Sequence, residues 1–202
     1  MNNFFDKLVA YESLVVAFLT LISTLAGIWI KTKLAREKKD RELEDATIKN
    51  ENILLMLKRL IKTLDADRVY IFEFHNGNYF SSGLPMQKFT CTYEVVEDGI
   101  SAECHNPGEY RVSNFNEYIM NIIKQRDFII EDVDNMQEKP LLKNLLIQKG
   151  VKSLYNFPIR DIKDKTIGFI GVDFVKENVK LSEENINQLR AAAKLVTGYI
   201  AK

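Results

Sequence analysis

Between Ser13 and Ile30 the chain reads SLVVAFLTLISTLAGIWI, a run without a single charge. About 18 residues at 1.5 Å each span roughly 27 Å as a helix, close to the roughly 30 Å hydrocarbon core of a bilayer. Apolar residues run all round this helix, unlike the one-sided stripe of a globular surface helix. Tyr11 and Trp29 bracket it, where interfacial aromatics belong. A cleaved signal peptide calls for a basic start and a small-residue cleavage site. Here the start, MNNFFDK, is nearly neutral, and the run closes on Trp29-Ile30-Lys31. A buried core helix would not lead into the dense charges that follow. Residues 13–30 are therefore expected to be a transmembrane helix after a short segment, 1–12.

Orientation follows from flanking charge. Lys31, Lys33, Arg36, Lys38 and Lys39 lie after the helix, whereas only Lys7 precedes it, beside Asp6 and Glu12. The positive-inside bias places the N-terminus outside and the C-terminal domain in the cytoplasm, at the inner membrane. A periplasmic C-terminal domain is the alternative.

Lys31 to Leu64 contains no Gly or Pro and is rich in strong helix formers. Residues 31–49 are mostly charged and read as a solvated helical stalk. Leu54, Leu57, Ile61 and Leu64 then fall at an a/d spacing. That stripe suits either a parallel coiled coil, and hence a homo-oligomer, or the first helix of a domain packed on its own sheet. The second is favoured after about Thr47, so residues 50–202 form the soluble domain.

Lys+Arg and Asp+Glu balance at 28 each, which offers no net field for nucleic acid. Two cysteines, Cys91 and Cys104, are too few for a disulfide scaffold and lack zinc-finger spacing. They would be reduced in a cytoplasmic domain and could pair in an oxidising compartment.

Within the domain, Arg68–His75 reads as a strand that stops at the turn signal Asn76-Gly77-Asn78. Lys88–Val96 and Ile100–His105 read as a hairpin about Glu97-Asp98-Gly99, with Cys91 and Cys104 nearly opposite. A helix is expected over Asn114–Gln125, a short strand over Phe128–Ile130, and a helix from Pro140 to a stop at Gly150. Ser153–Arg160 and Thr166–Val175 form two more strands. Ser182 caps a final helix whose stripe is Ile186, Leu189, Ala193, Val196 and Ile200, with Leu181 stapled onto Ile186. This order indicates an α+β fold: an antiparallel sheet with helices packed on one face.

Several segments carry a family resemblance. Asp67-Arg68-Val69 entering a strand, Ile129-Ile130-Glu131-Asp132-Val133, Gly150-Val151-Lys152-Ser153-Leu154 followed by Phe157-Pro158-Ile159, and Ile167-Gly168-Phe169-Ile170-Gly171-Val172 followed by Leu181-Ser182 resemble, in order, the segments of a GAF domain over roughly Asn50 to Lys202. The resemblance implies a six-stranded, GAF/PAS-like sheet with a small-molecule pocket between the sheet and the loops on one face. It implies no particular ligand. Cys104-His105 is similar to the Cys-His pair of bilin-binding members, but its neighbours do not match, so no cofactor is expected. The whole layout also resembles the lysis holins of T-even phages, in which a membrane helix, a charged segment and an α+β domain act by oligomerising in the membrane.

The candidate ligand-binding residues are His75, Asn76 and Glu73 at the end of the first strand, Tyr79 and Phe80 in the apolar loop 78–87, and Tyr93 on the second. His75 reads either as a pocket residue or as a strand-end histidine bonded to its own loop. The loop reads as a lid, a contact surface or a packed excursion. No P-loop, HExxH or GxSxG motif occurs, and only two histidines in the chain speak against a histidine-based catalytic centre. The expected function is a membrane-anchored sensory module, without catalysis, that contacts the lipid bilayer and a small ligand or regulatory protein.

Overall fold

A computed structural model describes residues 2–104, 110–124, 126–137 and 140–200. The chain divides into two compact units, Met1–Lys49 and Asn50–Lys202. One helix, α1 (Asn2–Leu64), contributes to both. It contains an 18-residue stretch long and apolar enough to cross a membrane, none of it buried within the protein.

The second unit is a six-stranded antiparallel sheet. Its strands are β1 (Arg68–Tyr79), β2 (Pro85–Val96), β3 (Tyr110–Arg111), β4 (Phe128–Ile130), β5 (Ser153–Arg160) and β6 (Thr166–Phe174), in spatial order β3-β2-β1-β6-β5-β4. Between them come a 3-10 turn at Val112–Phe115, α2 (Asn116–Ile123) and α3 (Pro140–Gln148), and α4 (Glu183–Ile200) ends the order. This is the expected α+β antiparallel fold. Side chains alternate across each strand, so the sheet buries two cores. On one face Val69, Ile71, Phe157, Ile170 and Val172 pack against Ile53, Leu57 and Ile61 of α1 and Leu189, Ala193 and Val196 of α4. On the other, Tyr70, Phe72, Phe89 and Phe169 pack against Tyr118, Ile119 and Ile122 of α2 and Leu142 and Leu146 of α3. Helices thus cover both faces, where the sequence reading gathered them on one; the short α2 and α3 have apolar faces that need a second core.

The stripe on α1 packs within its own domain. Leu57, Ile61 and Leu64 are buried as the pattern suggests, with Ile53 buried in place of the half-buried Leu54. At the end of α3, Gly150 at φ +70° donates its N–H to the Ile147 carbonyl, and Val151 donates to that of Leu146. These two bonds form a Schellman motif. Ser182 Oγ accepts the Asn185 N–H at 3.2 Å and caps α4.

Two local expectations are corrected. Asn76-Gly77 does not end β1; the strand carries an irregularity between Asn76 and Tyr79 and continues to Tyr79. The turn lies at Phe80–Leu84, where Gly83 has φ +78°. A Cβ on Gly77 would meet only the flexible end of the Lys88 side chain on the neighbouring strand. Residues 100–104 form no strand either, and His105, like Gln125 at the expected end of α2, lies outside the described residues. Their place beside β2 goes to β3, which pairs Arg111 with Lys88 and Tyr110 with Phe89. Side-chain bonds hold 100–104 as a loop: Glu94 Oε2 accepts the backbone N–H groups of Glu103 and Cys104, both at 2.8 Å.

Two glycines give opposite expectations. A Cβ on Gly171 would collide with Asn156 Oδ1 and the Tyr70 ring, whereas one on Gly198 in α4 meets nothing within 4 Å. Gly171→Ala should destabilise the domain by about 2 kcal/mol through overpacking. Gly198→Ala should stabilise it by about 0.5 kcal/mol through helix propensity. Paired denaturant titrations check the two signs; equal effects from both would contradict this packing.

Candidate functional site

Arg68, Tyr70, Phe72 and Phe74 alternate with Val69, Ile71 and Glu73 along β1, so an arginine enters the aromatic core facing α2 and α3. Its side chain is 1% exposed. Arg68 donates from Nη1 to Asp173 Oδ2 at 2.9 Å and from Nη2 to the Ser101 carbonyl at 3.0 Å. Its Nε lies 3.4 Å from Oε1 of Glu94, itself 4% exposed. That contact is an ion pair without hydrogen-bond alignment, and both atoms are buried with no hydrogen-bond partner. Glu103 stands 3.9 Å from Nη2 and 3.2 Å from Lys149 Nζ, which in turn lies 5.3 Å over the Tyr110 ring.

A cavity of about 50 Å³ opens beside this cluster. Its charged end is Arg68, Glu94, Glu103, Lys149 and Asp173; its other walls are aromatic and aliphatic, among them Phe72, Phe89, Tyr110, Phe115, Tyr118 and Leu145. The rings brace one another: Phe72 stacks on Phe169 at 5.1 Å, Phe89 on Tyr110 at 5.2 Å, and Tyr118 meets Phe128 edge-on at 4.7 Å. Such a volume admits on the order of four waters or a comparably small group.

Behind the cavity runs a buried polar chain. Tyr70 Oη is 2.9 Å from both Asn156 Oδ1 and Asp173 Oδ1, and Asn156 Nδ2 donates to Tyr118 Oη at 2.8 Å. One phenolic proton serves only one of its two neighbours. Burial pushes the Asp173 carboxyl above the usual carboxylate range, against the pull of Arg68 and Tyr70. Burial and the Asp173 carboxylate likewise hold the Tyr70 hydroxyl well above its ordinary value, and Tyr118 is raised by burial first of all.

Cys91 on β2 and Cys104 are joined as a disulfide with Cα atoms 5.1 Å apart. With the Glu94 bonds, it fastens loop 100–104 to β2 beside the charged end of the cavity.

The residues singled out from the sequence sit elsewhere. Glu73 is half-buried, paired across the sheet with Thr90 and Gly168. His75 Nε2 lies 2.7 Å from Thr90 Oγ1, a bond to the neighbouring strand. Asn76 is exposed opposite Gln87. Tyr79 and Phe80 are exposed at the β1–β2 hairpin, Tyr79 by 72%. Tyr93 packs on the other face and donates to Asn50 Oδ1 at 2.6 Å. None of the six lines the aromatic cavity. The signal that marks the cavity is a polar residue in core register on an apolar strand: Arg68 two before Tyr70, and Asp173 between Val172 and Phe174.

A scan against family models matches the GAF domain over residues 53–200. Among solved structures, the blue-light-absorbing form of the PixJ GAF domain of Thermosynechococcus elongatus superimposes with a TM-score of 0.62 at 18% identity, covering 77% of this chain and 86% of that one. A far-red-absorbing domain with bound biliverdin gives 0.57 at 13% identity, covering 78% and 96%. The GAF domain region of a Geobacter sulfurreducens chain described as a membrane protein gives 0.57 at 16%, covering 81% and 97%. No curated protein matches. These likenesses leave the resemblance to phage holins without support. Family match and fold agree across nearly all of the second unit, and the chain belongs to the GAF domain family.

Proposed function

We propose that this chain is a membrane-anchored sensory module whose GAF domain binds a small amphipathic ligand in the aromatic cavity and passes its occupancy to a partner. The observation that carries this reading is the cavity itself: braced aromatic walls closed at one end by a buried charge cluster. That cluster leaves one donor, Arg68 Nε, and one acceptor, Glu94 Oε1, without hydrogen bonds. Buried polar atoms in native proteins are nearly always satisfied, so a ligand offering both a donor and an acceptor fits there. A ligand-bound GAF relative, the domain with biliverdin, supports binding as the mode of action. A tetrapyrrole is far larger than about 50 Å³, so a ligand of few heavy atoms suits this chain better. Among the described residues no nucleophile–base pair lines the cavity, which favours binding over catalysis.

The sheet lies between the cavity and Ile53–Leu64 of α1. A change in strand position on filling the cavity is therefore felt by that helix. The uncharged stretch within α1 supplies the anchor. Flanking charge places the domain in the cytoplasm, whereas the Cys91–Cys104 disulfide is more at home in an oxidising compartment. A cytoplasmic domain holds this pair reduced at rest.

Two measurements test this reading. Thermal-shift screening of the full chain against small amphipathic metabolites should give a ligand that raises Tm in the wild type and not in Leu145→Trp, which fills the cavity. Hits that shift both proteins equally, or none, would contradict it. Fusion of a fluorescent protein and, separately, alkaline phosphatase after Lys202 should give fluorescence without phosphatase activity. Phosphatase activity would place the domain outside.

A further inference from the structure

We propose that Cys91, Cys104 and Glu94 form a thiolate–carboxylate site for a thiophilic divalent cation such as Zn²⁺, masked by the disulfide and opened by its reduction. The two sulfurs and a carboxylate oxygen of Glu94 all lie within 4.8 Å of one another, in a half-buried setting. Zinc binds Cys sulfur at about 2.3 Å and carboxylate oxygen at about 2.0–2.2 Å, so two thiolates on one tetrahedral ion stand roughly 3.8 Å apart. Side-chain rotation on two backbone positions whose Cα atoms are 5.1 Å apart reaches that separation once the S–S bond is gone.

Glu94 is held firmly beside the two sulfurs. Its Oε2 is held by the N–H groups of Glu103 and Cys104. Its Oε1 is buried and has no hydrogen bond, although the Arg68 guanidinium stands 3.4 Å away. Donors that hold a carboxylate in this way orient it for an incoming ion. The same two N–H bonds, and that from Arg68 to the Ser101 carbonyl, hold loop 100–104 when the disulfide opens. The sulfurs therefore stay close, and the site is preorganised rather than assembled from a loose chain.

A phosphine reductant and one water convert the disulfide to two thiols and are consumed as phosphine oxide. Binding a divalent ion then releases the two thiol protons. Two thiolates and the Glu94 carboxylate set three negative charges against the two positive charges of the ion. Three protein donors leave one position for water. Two soft sulfur ligands favour Zn²⁺ over Mg²⁺ or Ca²⁺.

The test uses the full chain in detergent, reduced with a phosphine, freed of metal with a chelator, then titrated with Co²⁺ and afterwards Zn²⁺. The expected result is a sulfur-to-cobalt charge-transfer band saturating near about one equivalent per chain and erased by Zn²⁺. Cys91→Ser and Cys104→Ser, with circular dichroism unchanged from the reduced wild type, should each abolish the band. Glu94→Gln should weaken binding by about tenfold or more. No band after reduction, a band that survives in both cysteine variants, or equal uptake by the unreduced protein would overturn the proposal.

Discussion

Arg68 is the charge around which this domain is built. Its guanidinium is 1% exposed and meets Asp173 on β6, Glu94 on β2 and the Ser101 carbonyl in the loop, with Glu103 close by. Taking an arginine out of water costs several kcal/mol, which only well-placed partners offset. Those partners come from three separate pieces of chain, so one residue at the start of β1 sets the positions of both neighbouring strands and of loop 100–104. The cavity lies against this cluster, and Cys91–Cys104, when oxidised, fastens the same loop a second time. Structure and candidate site thus share one cause.

The rest of the domain frames that cluster. The face toward α1 and α4 is packed with aliphatic and aromatic side chains and makes a firm base. The face toward α2 and α3 carries the aromatic rings and the buried polar chain Asp173–Tyr70–Asn156–Tyr118. Gly171 is what lets Tyr70 and Asn156 meet above β6, since any Cβ there would occupy their space. A rigid base beneath an aromatic cavity with a charged end suits binding, because small changes in occupancy then move strands instead of being absorbed by loose packing.

Much of this was legible in the sequence where local chemistry decides the outcome. β5, β6 and α4 follow from alternating or helical apolar patterns with clear stops, and Ser182 and Gly150 act as the caps their residue types suggest. Legibility failed where tertiary contacts override local signals. Asn76-Gly77 is a strong turn dipeptide, yet β1 runs on through it because pairing with β2 continues to Pro85. Ile100–His105 follows the hairpin signal Glu97-Asp98-Gly99, yet bonds from Glu94 and Arg68 hold 100–104 as a loop. The aromatic cavity was missed because its members are scattered from Arg68 to Asp173 and converge only through the sheet. His75 drew notice as a rare residue in a distinctive setting, whereas Arg68 in a core register was the more telling oddity.

A double-mutant cycle between Arg68 and Asp173 addresses the central claim most directly, read as unfolding free energy at neutral pH. Arg68→Met alone should cost about 3–5 kcal/mol, since it strands buried carboxylates. In Arg68→Met/Asp173→Leu part of that loss should return, so that the pair costs clearly less than the two single changes summed. Strictly additive losses, or a small cost for Arg68→Met alone, would show that the domain does not depend on this buried charge cluster.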